Sequence, residues 1–116
     1  MARGENQVNV YLTVEEHAAF RLYANKFLLD AAALLALLFA RELRVGRLRQ
    51  LISRDAPPDD PRKAKVTARL NERDRAALMT LAQSQGLKLS QLGGVLVRAE
   101  LAESWLAHVC TTRFES

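Results

Sequence analysis

Apolar and polar residues alternate in two short stretches of the chain. The apolar positions are Val8, Val10 and Leu12 in the first stretch and Val66, Ala68 and Leu70 in the second. Because successive side chains of a strand point to opposite faces, this alternation predicts two strands, each with one buried face. The outward-facing residues are then Gln7, Asn9 and Tyr11 on the first strand and Lys65, Thr67 and Arg69 on the second.

A helix signal follows each predicted strand directly. Thr13 and Glu16 have the spacing of a capping box, and Asn71 with Asp74 offers the same arrangement with shorter side chains. Apolar residues then recur at helical spacing, so each strand should lead into an amphipathic helix. The predicted buried stripes are Phe20, Tyr23, Ala24 and Phe27 in the first helix and Leu78, Leu81 and Ala82 in its counterpart, which should end near Gly86.

A second, longer helix is predicted in each half. Asp30 is a good N-cap residue for the first of these. The apolar faces are Leu34, Leu38, Val45, Leu48 and Ile52 in one helix and Leu92, Leu96, Ala99, Leu106 and Cys110 in the other. Cations favour the carboxyl end of a helix. We therefore interpret a run of arginines as a solvated face of the first helix, namely Arg41, Arg44, Arg47 and Arg49.

The two halves of the chain repeat at an offset of 58 residues without a gap. Leu12 falls on Leu70, Leu34 on Leu92 and Glu42 on Glu100. A regular offset of this kind is typical of one supersecondary unit used twice. We predict units at residues 7–52 and 65–110, joined by a linker at 53–64 that contains the 3 prolines of the chain. Neither unit can bury both of its helical stripes alone, so the two should pair.

Two adjacent glycines interrupt the last predicted helix. Gly93 and Gly94 occupy the positions that hold Leu35 and Ala36 in the first half. Glycines inside a helix cost about 1 kcal/mol each relative to alanine, which implies a packing reason. We expect the helix that carries Leu35 and Phe39 to cross the glycine pair closely. The alternative is a locally weakened helix.

The order of strand, helix and helix, with Gly86 and Leu87 before the last helix, resembles the ribbon-helix-helix family over nearly the whole chain. The resemblance implies a mainly α fold with a two-stranded antiparallel β-ribbon that enters the major groove of double-stranded DNA. It assigns base contacts to Gln7, Asn9, Tyr11, Lys65, Thr67 and Arg69. It also assigns phosphate contacts to the start of the last helix, at Lys88, Leu89 and Ser90. Asp30 occupies the equivalent place in the first unit and should compete with phosphate there.

The resemblance further implies an intramolecular pseudo-dimer that is monomeric off DNA and binds a specific duplex. Tandem copies in one short chain are similar in layout to the relaxosome accessory proteins of conjugative plasmids. The expected roles are thus a plasmid transfer factor, with a relaxase or other DNA-bound copies as partners, or a transcriptional repressor. An antitoxin, or a helical interaction module that binds no DNA, remains an alternative.

The residues on the two strands predict unequal half-sites in the DNA. The first strand is neutral, whereas Lys65 and Arg69 give the second strand two cations. We expect each strand to read one half-site. The half-site of the second strand should then hold a G·C pair, because arginine and lysine favour guanine. The half-site of the first strand should lean towards A·T pairs and be more permissive.

Composition narrows the class of protein. The formal net charge of +4 favours a polyanionic partner, although only weakly, and 49% apolar residues allow a packed core. Cys110 is the only cysteine, so neither an intrachain disulfide nor a thiolate metal site can form. The longest apolar run, Ala31 to Ala40, is shorter than the roughly 20 residues of a membrane span. We expect a cytoplasmic protein.

The sequence offers little for catalysis. His17 lies off the apolar stripe, and His108 has no acidic partner at ligand spacing. Paired catalytic carboxylates and a glycine-rich phosphate loop are also missing from the sequence. We therefore expect a protein that is not an enzyme and that uses no cofactor or metal ion. Trp105 is interpreted as a packing or interface residue.

Overall fold

The computed structural model describes residues 7–46 and 64–108. Helices predominate, and the two strands form one antiparallel sheet, so the predicted fold class is confirmed to that extent. Residues 105–108 form a further helical turn. In chain order the elements are β1 (Gln7–Leu12), α1 (Val14–Asn25), α2 (Ala31–Val45), β2 (Ala64–Arg69), α3 (Glu72–Ser84) and α4 (Leu89–Glu103).

The register of the β1–β2 ribbon is symmetric under the 58-residue offset. Asn9 pairs with Thr67, which lies 58 residues further along the chain. Gln7 pairs with Arg69, and the counterparts of these two residues, Lys65 and Tyr11, also pair with each other. The alternation predicted from the sequence is confirmed, because the inner face is buried at Val8, Val10, Leu12, Val66 and Ala68.

The helices begin at the residues that the sequence indicates. Thr13 and Glu16 form the full capping box: the Thr13 amide donates to Glu16 Oε1 at 3.0 Å, and the Glu16 amide donates to Thr13 Oγ1 at 3.0 Å. Asn71 caps α3 by accepting from the Asp74 amide at 2.7 Å. Asp74 Oδ2 accepts from the Asn71 side chain at 3.1 Å. In a full capping box it would accept from the Asn71 backbone amide instead, so the second box is incomplete.

Each of the longer helices packs on the strand from the other half of the chain. α2 lies against β2, and α4 lies against β1, while α2 and α4 also contact each other. α1 packs on α2 and α4, and α3 does the same. The core is therefore shared between the halves, and each strand depends for its burial on a helix from the opposite half. The largest fully buried apolar side chains are Leu12, Phe20, Leu34, Leu35, Leu38, Phe39, Leu78, Leu92 and Leu96.

Three predictions about the longer helices are wrong. Val45, predicted to face the core, is 58% exposed at the end of α2. Arg41, predicted to be solvated, is buried, because it forms an ion pair with buried Glu100 at 3.3 Å. The last helix does not run on to Leu106: α4 ends where Ser104 takes the left-handed conformation, with φ 53°. Leu106 is nevertheless buried.

A buried polar cluster joins α1, α2, α4 and the helical turn at residues 105–108. Glu100 accepts from the Tyr23 hydroxyl at 2.5 Å and from the Leu106 amide at 2.8 Å, in addition to Arg41. The Arg41 guanidinium lies 4.3 Å from the centre of the Trp105 ring. Trp105 was predicted to be a packing or an interface residue, and the structure shows it as a packing residue. Its ring covers the Arg41 guanidinium, whose positive charge is balanced by Glu100.

The turn between the helices differs in residue type but not in shape between the halves. Gly86 has φ 73°, as expected for a glycine after a helix, and its counterpart Leu28 has φ 62°. The Leu28 side chain is 95% exposed. A leucine therefore holds a left-handed conformation here without burying its side chain in return.

Some sequence predictions lie outside the described residues. The linker lies there except for Ala64, which belongs to β2 and not to the linker. The end of the first predicted unit lies outside as well, with Arg47, Leu48, Arg49 and Ile52, as does Cys110.

Candidate nucleic-acid interface

All of the predicted base-contacting residues lie on the outer face of the β-ribbon. Because side chains alternate along a strand, burial of Val8, Val10, Val66 and Ala68 turns the intervening residues to the opposite face. The antiparallel register then brings residues from both strands side by side. The outer face consists of exposed Asn9, Tyr11, Lys65 and Arg69 and of half-buried Gln7 and Thr67.

A hydrogen bond between the strands occupies the centre of this face. Thr67 Oγ1 donates to Asn9 Oδ1 at 2.7 Å. A carboxamide oxygen has two lone pairs, and its nitrogen carries two N–H groups, so the bond uses only part of what Asn9 offers. Asn9 keeps the acceptor and donors that pair with an adenine edge, while Thr67 keeps its methyl group.

The two ends of the outer face carry different pairs of residues. Gln7 lies opposite Arg69 at one end, and Tyr11 lies opposite Lys65 at the other. The expectation of one half-site per strand therefore does not fit the register, since antiparallel strands divide the two cations between the ends. Each end has one residue from each strand and one cation.

Arg75 was not singled out by the sequence as a residue of this site. Its Nε atom donates to the Gln7 carbonyl at 3.4 Å and so ties α3 to the start of β1. The signal for Arg75 in the sequence is weak, because Arg75 is the counterpart of His17 and lies off the apolar stripe of its helix. Arg75 positions the ribbon end that carries Gln7 and Arg69.

The start of α4 has an open cap. Lys88 is the N-cap residue, and its side chain makes no cap hydrogen bond within the described chain. The Lys88 amide donates to Gln91 Oε1 at 2.8 Å, while the amides of Leu89 and Ser90 lie in the first turn. First-turn amides have no partner inside the helix, and the positive end of the helix dipole favours an anion there. The arrangement suits a phosphate group.

The start of α2 is closed by a carboxylate. Asp30 Oδ1 accepts from the Ala33 amide at 2.7 Å, so one amide of the first turn already has an acidic partner. Asp30 is exposed and adds a negative charge at the place where Lys88 adds a positive one in the other half. The two helix starts are therefore not equivalent, and competition between Asp30 and a phosphate stays a prediction.

Within residues 7–46 and 64–108, no three His, Cys, Asp or Glu side chains come together as a metal site. None of the helices in this part of the chain combines the length and apolar character that crossing a membrane requires. The outer ribbon face and the start of α4 form the candidate site.

No protein-family model, curated protein or solved structure matches the chain.

Proposed function

We propose that the chain is a sequence-specific double-stranded DNA-binding protein of the ribbon-helix-helix type, with two units paired inside one chain. The outer ribbon face would enter the major groove, whose width admits a two-stranded ribbon. The observation that carries the proposal is the side-by-side arrangement of amide, hydroxyl and cationic side chains on one exposed ribbon face over a shared apolar core.

The internal symmetry supports pairing of two equivalent units. The strand register keeps its pairs under the 58-residue offset, and each long helix packs on the strand of the other half. An isolated two-stranded ribbon is marginal in water. The exchange of helices across the ribbon supplies the missing burial, so the pseudo-dimer accounts for the stability of the ribbon.

The side chains match the hydrogen-bonding pattern of the major groove. Arg69 and Lys65 can donate to guanine O6 and N7, and Gln7 and Asn9 can form paired bonds with adenine. The methyl group of Thr67 suits a thymine methyl. The open start of α4 at Lys88, Leu89 and Ser90 would hold a backbone phosphate and fix the register on the duplex.

Two biological roles follow from such binding. A site at an origin of plasmid transfer would make the chain a relaxosome accessory factor, whereas a site at a promoter would make it a transcriptional repressor. Recovery of genomic fragments on the full-length protein, followed by sequencing, separates the two roles by the position of the bound sites.

Gel-shift titration of a duplex selected from a random pool tests DNA binding itself. Arg69→Ala should lose roughly 1–3 kcal/mol of specific binding if the arginine makes a bidentate base contact. Arg44→Ala is the matched control, because Arg44 is an exposed arginine of α2 that lines a different surface, together with Trp105 and Val45. Equal affinities of the wild type and Arg69→Ala would reject the base-reading assignment, and failure to select any duplex would reject DNA binding.

A further inference from the structure

The two ends of the ribbon face are chemically unequal. One end offers a guanidinium beside a carboxamide, Arg69 and Gln7, and the other offers an ammonium beside a phenol, Lys65 and Tyr11. Guanidinium is a planar fork that binds two guanine acceptors at once, whereas ammonium is a rotatable point charge. The Arg69 end should therefore discriminate more strongly between bases than the Lys65 end.

The open helix start lies towards the Arg69 end. Gly93 of α4 adjoins Val10 in the middle of β1. Further along α4, Arg98 Nε donates to Glu16 Oε2 at 3.0 Å, and Glu16 lies just beyond the end of β1. α4 thus runs in the same direction as β1. Its first residues, with Lys88 before them, point back towards Gln7 and hence towards Arg69, the cross-strand partner of Gln7.

The closed helix start lies towards the other end. A shallow cleft brings Phe39, Ala40 and Leu43 of α2 together with Arg69 and Leu70 at the end of β2. The carboxyl half of α2 therefore lies beside the end of β2, and α2 also runs along its strand in the strand direction. The start of α2, capped by Asp30, points back towards Lys65 and its partner Tyr11.

We propose that the ribbon reads a duplex with a direction, in which a strong half-site is bound by Arg69 and Gln7 with the start of α4, and a weak half-site by Tyr11 and Lys65. The proposal rests on the proposed DNA-binding function. Both differences favour the same end, because the forked base reader and the open phosphate site lie together there, while the carboxylate of Asp30 repels phosphate at the opposite end. The operator is therefore not a palindrome.

The proposed direction is tested by measuring the binding of each protein variant to duplexes in which one half-site has been replaced. A duplex is first selected from a random pool with the full-length protein, and each half of its consensus is then replaced separately. Gel-shift titrations compare wild type, Arg69→Ala and Lys65→Ala on these duplexes. Both residues are exposed, so neither substitution should disturb folding, which circular dichroism checks. Replacement of the strong half should weaken wild-type binding by roughly 5- to 150-fold and replacement of the weak half by less.

The deciding result is which half-site replacement each variant no longer responds to. Arg69→Ala should become insensitive to replacement of the strong half but stay sensitive to the weak half, and Lys65→Ala should show the reverse. Two results would overturn the proposed direction. One is a selected consensus that is a perfect palindrome, constrained equally in both halves. The other is that Arg69→Ala and Lys65→Ala both lose their sensitivity to replacement of the same half-site. In those cases the protein still binds DNA and the proposed function stands. Failure to select any duplex overturns the function, and the direction with it.

Discussion

Gly93 on α4 lies against Val10 on β1 so closely that any side chain at residue 93 would overlap with Val10 Cγ2. Phe39 from α2 closes the same place, with its Cζ atom 3.1 Å from where a Cβ would stand. At the counterpart positions the sizes are exchanged, since β2 carries Ala68 and α2 carries Leu35, both fully buried. Between β1 and α4 a large strand residue thus meets a glycine, whereas β2 and α2 carry a small residue and a leucine at the counterpart positions.

The neighbouring glycines should respond in opposite ways to alanine. Gly93→Ala should destabilise the fold by about 1–3 kcal/mol, because the added methyl group overpacks a closed core. Gly94→Ala should be neutral or stabilising by up to about 1 kcal/mol, since alanine is the better helix former. The three atoms nearest to an added Cβ at residue 94 all belong to the Arg98 guanidinium, with Nη1 at 3.2 Å, so a shift of a few tenths of an ångström in that side chain makes room. Urea denaturation measures both free energies of unfolding.

A compensating substitution sharpens this comparison. If the Val10 side chain causes the overlap, Val10→Ala should recover part of the stability that Gly93→Ala loses, so the two substitutions should be non-additive. Equal losses for Gly93→Ala in the presence and absence of the Val10 side chain would contradict the contact.

The turns at Leu28 and Gly86 predict a second pair of opposite effects. Leu28→Gly should stabilise the protein by about 1 kcal/mol, because glycine relieves the left-handed strain and the exposed leucine loses no packing. Gly86→Ala should cost about 1 kcal/mol through its φ of 73° alone, since a Cβ there meets nothing within 4 Å. Thermal and urea unfolding report both changes. A loss of stability in Leu28→Gly would contradict the strain assigned to the left-handed conformation of Leu28.

Local signals in the sequence predicted most of the elements. Alternation gave both strands, and Thr13 and Asp30 marked helix starts because a cap depends only on residues a few positions away. The approach of Phe39 to the glycine pair was also correct for Gly93. The role of Val10 was missed, because it depends on which half supplies the helix that covers β1.

Features that depend on distant residues were not predictable. Arg41 belongs to an arginine run that is typical of a solvated helix end, yet Glu100, 59 residues away, draws it into the core. The end of α4 at Ser104 likewise carries no glycine signal. For the candidate site, the outer-face residues followed from alternation, but the division of cations between the ribbon ends follows only from the antiparallel register.

Tyr23 should make stability depend on alkaline pH. Burial raises the pKa of Tyr23, and its hydrogen bond to Glu100 raises it further, above the ordinary value of 10.0. A raised pKa in the folded state contributes stability that is complete below about pH 10 and declines as pH rises towards the folded pKa. The stability difference between wild type and Tyr23→Phe should therefore shrink above about pH 10. Urea denaturation over a pH series measures it.

The other tyrosine provides the control for this series. Tyr11 is 46% exposed on the ribbon, and Tyr11→Phe removes the same hydroxyl group without touching the buried cluster. Tyr11→Phe should therefore change the free energy of unfolding by less than Tyr23→Phe does at neutral pH. A constant difference for Tyr23→Phe across the series would reject the role assigned to the Tyr23–Glu100 hydrogen bond.

Pairing of the two halves within one chain predicts a monomer in the absence of DNA. Each strand already has its cross-strand partner and its covering helix inside the chain. Light scattering over a range of concentrations should therefore give a mass near 13.0 kDa throughout. A stable species of twice that mass at every dilution would show that two chains supply the paired units.

Removal of one charge at the start of α2 should strengthen DNA binding. Asp30→Ser keeps a side chain that can cap the Ala33 amide, so helix stability should change little, but it removes the carboxylate that lies towards the proposed weak half-site. Affinity for the selected duplex should rise, most clearly at low salt where phosphate interactions dominate. The opposite change at the other helix start, Lys88→Ala, should weaken binding to all duplexes and flatten the salt dependence by about one unit of slope. Gel-shift titrations at several salt concentrations measure both slopes. Unchanged affinity in Asp30→Ser together with a full loss in Lys88→Ala would mean that the duplex contacts only the start of α4.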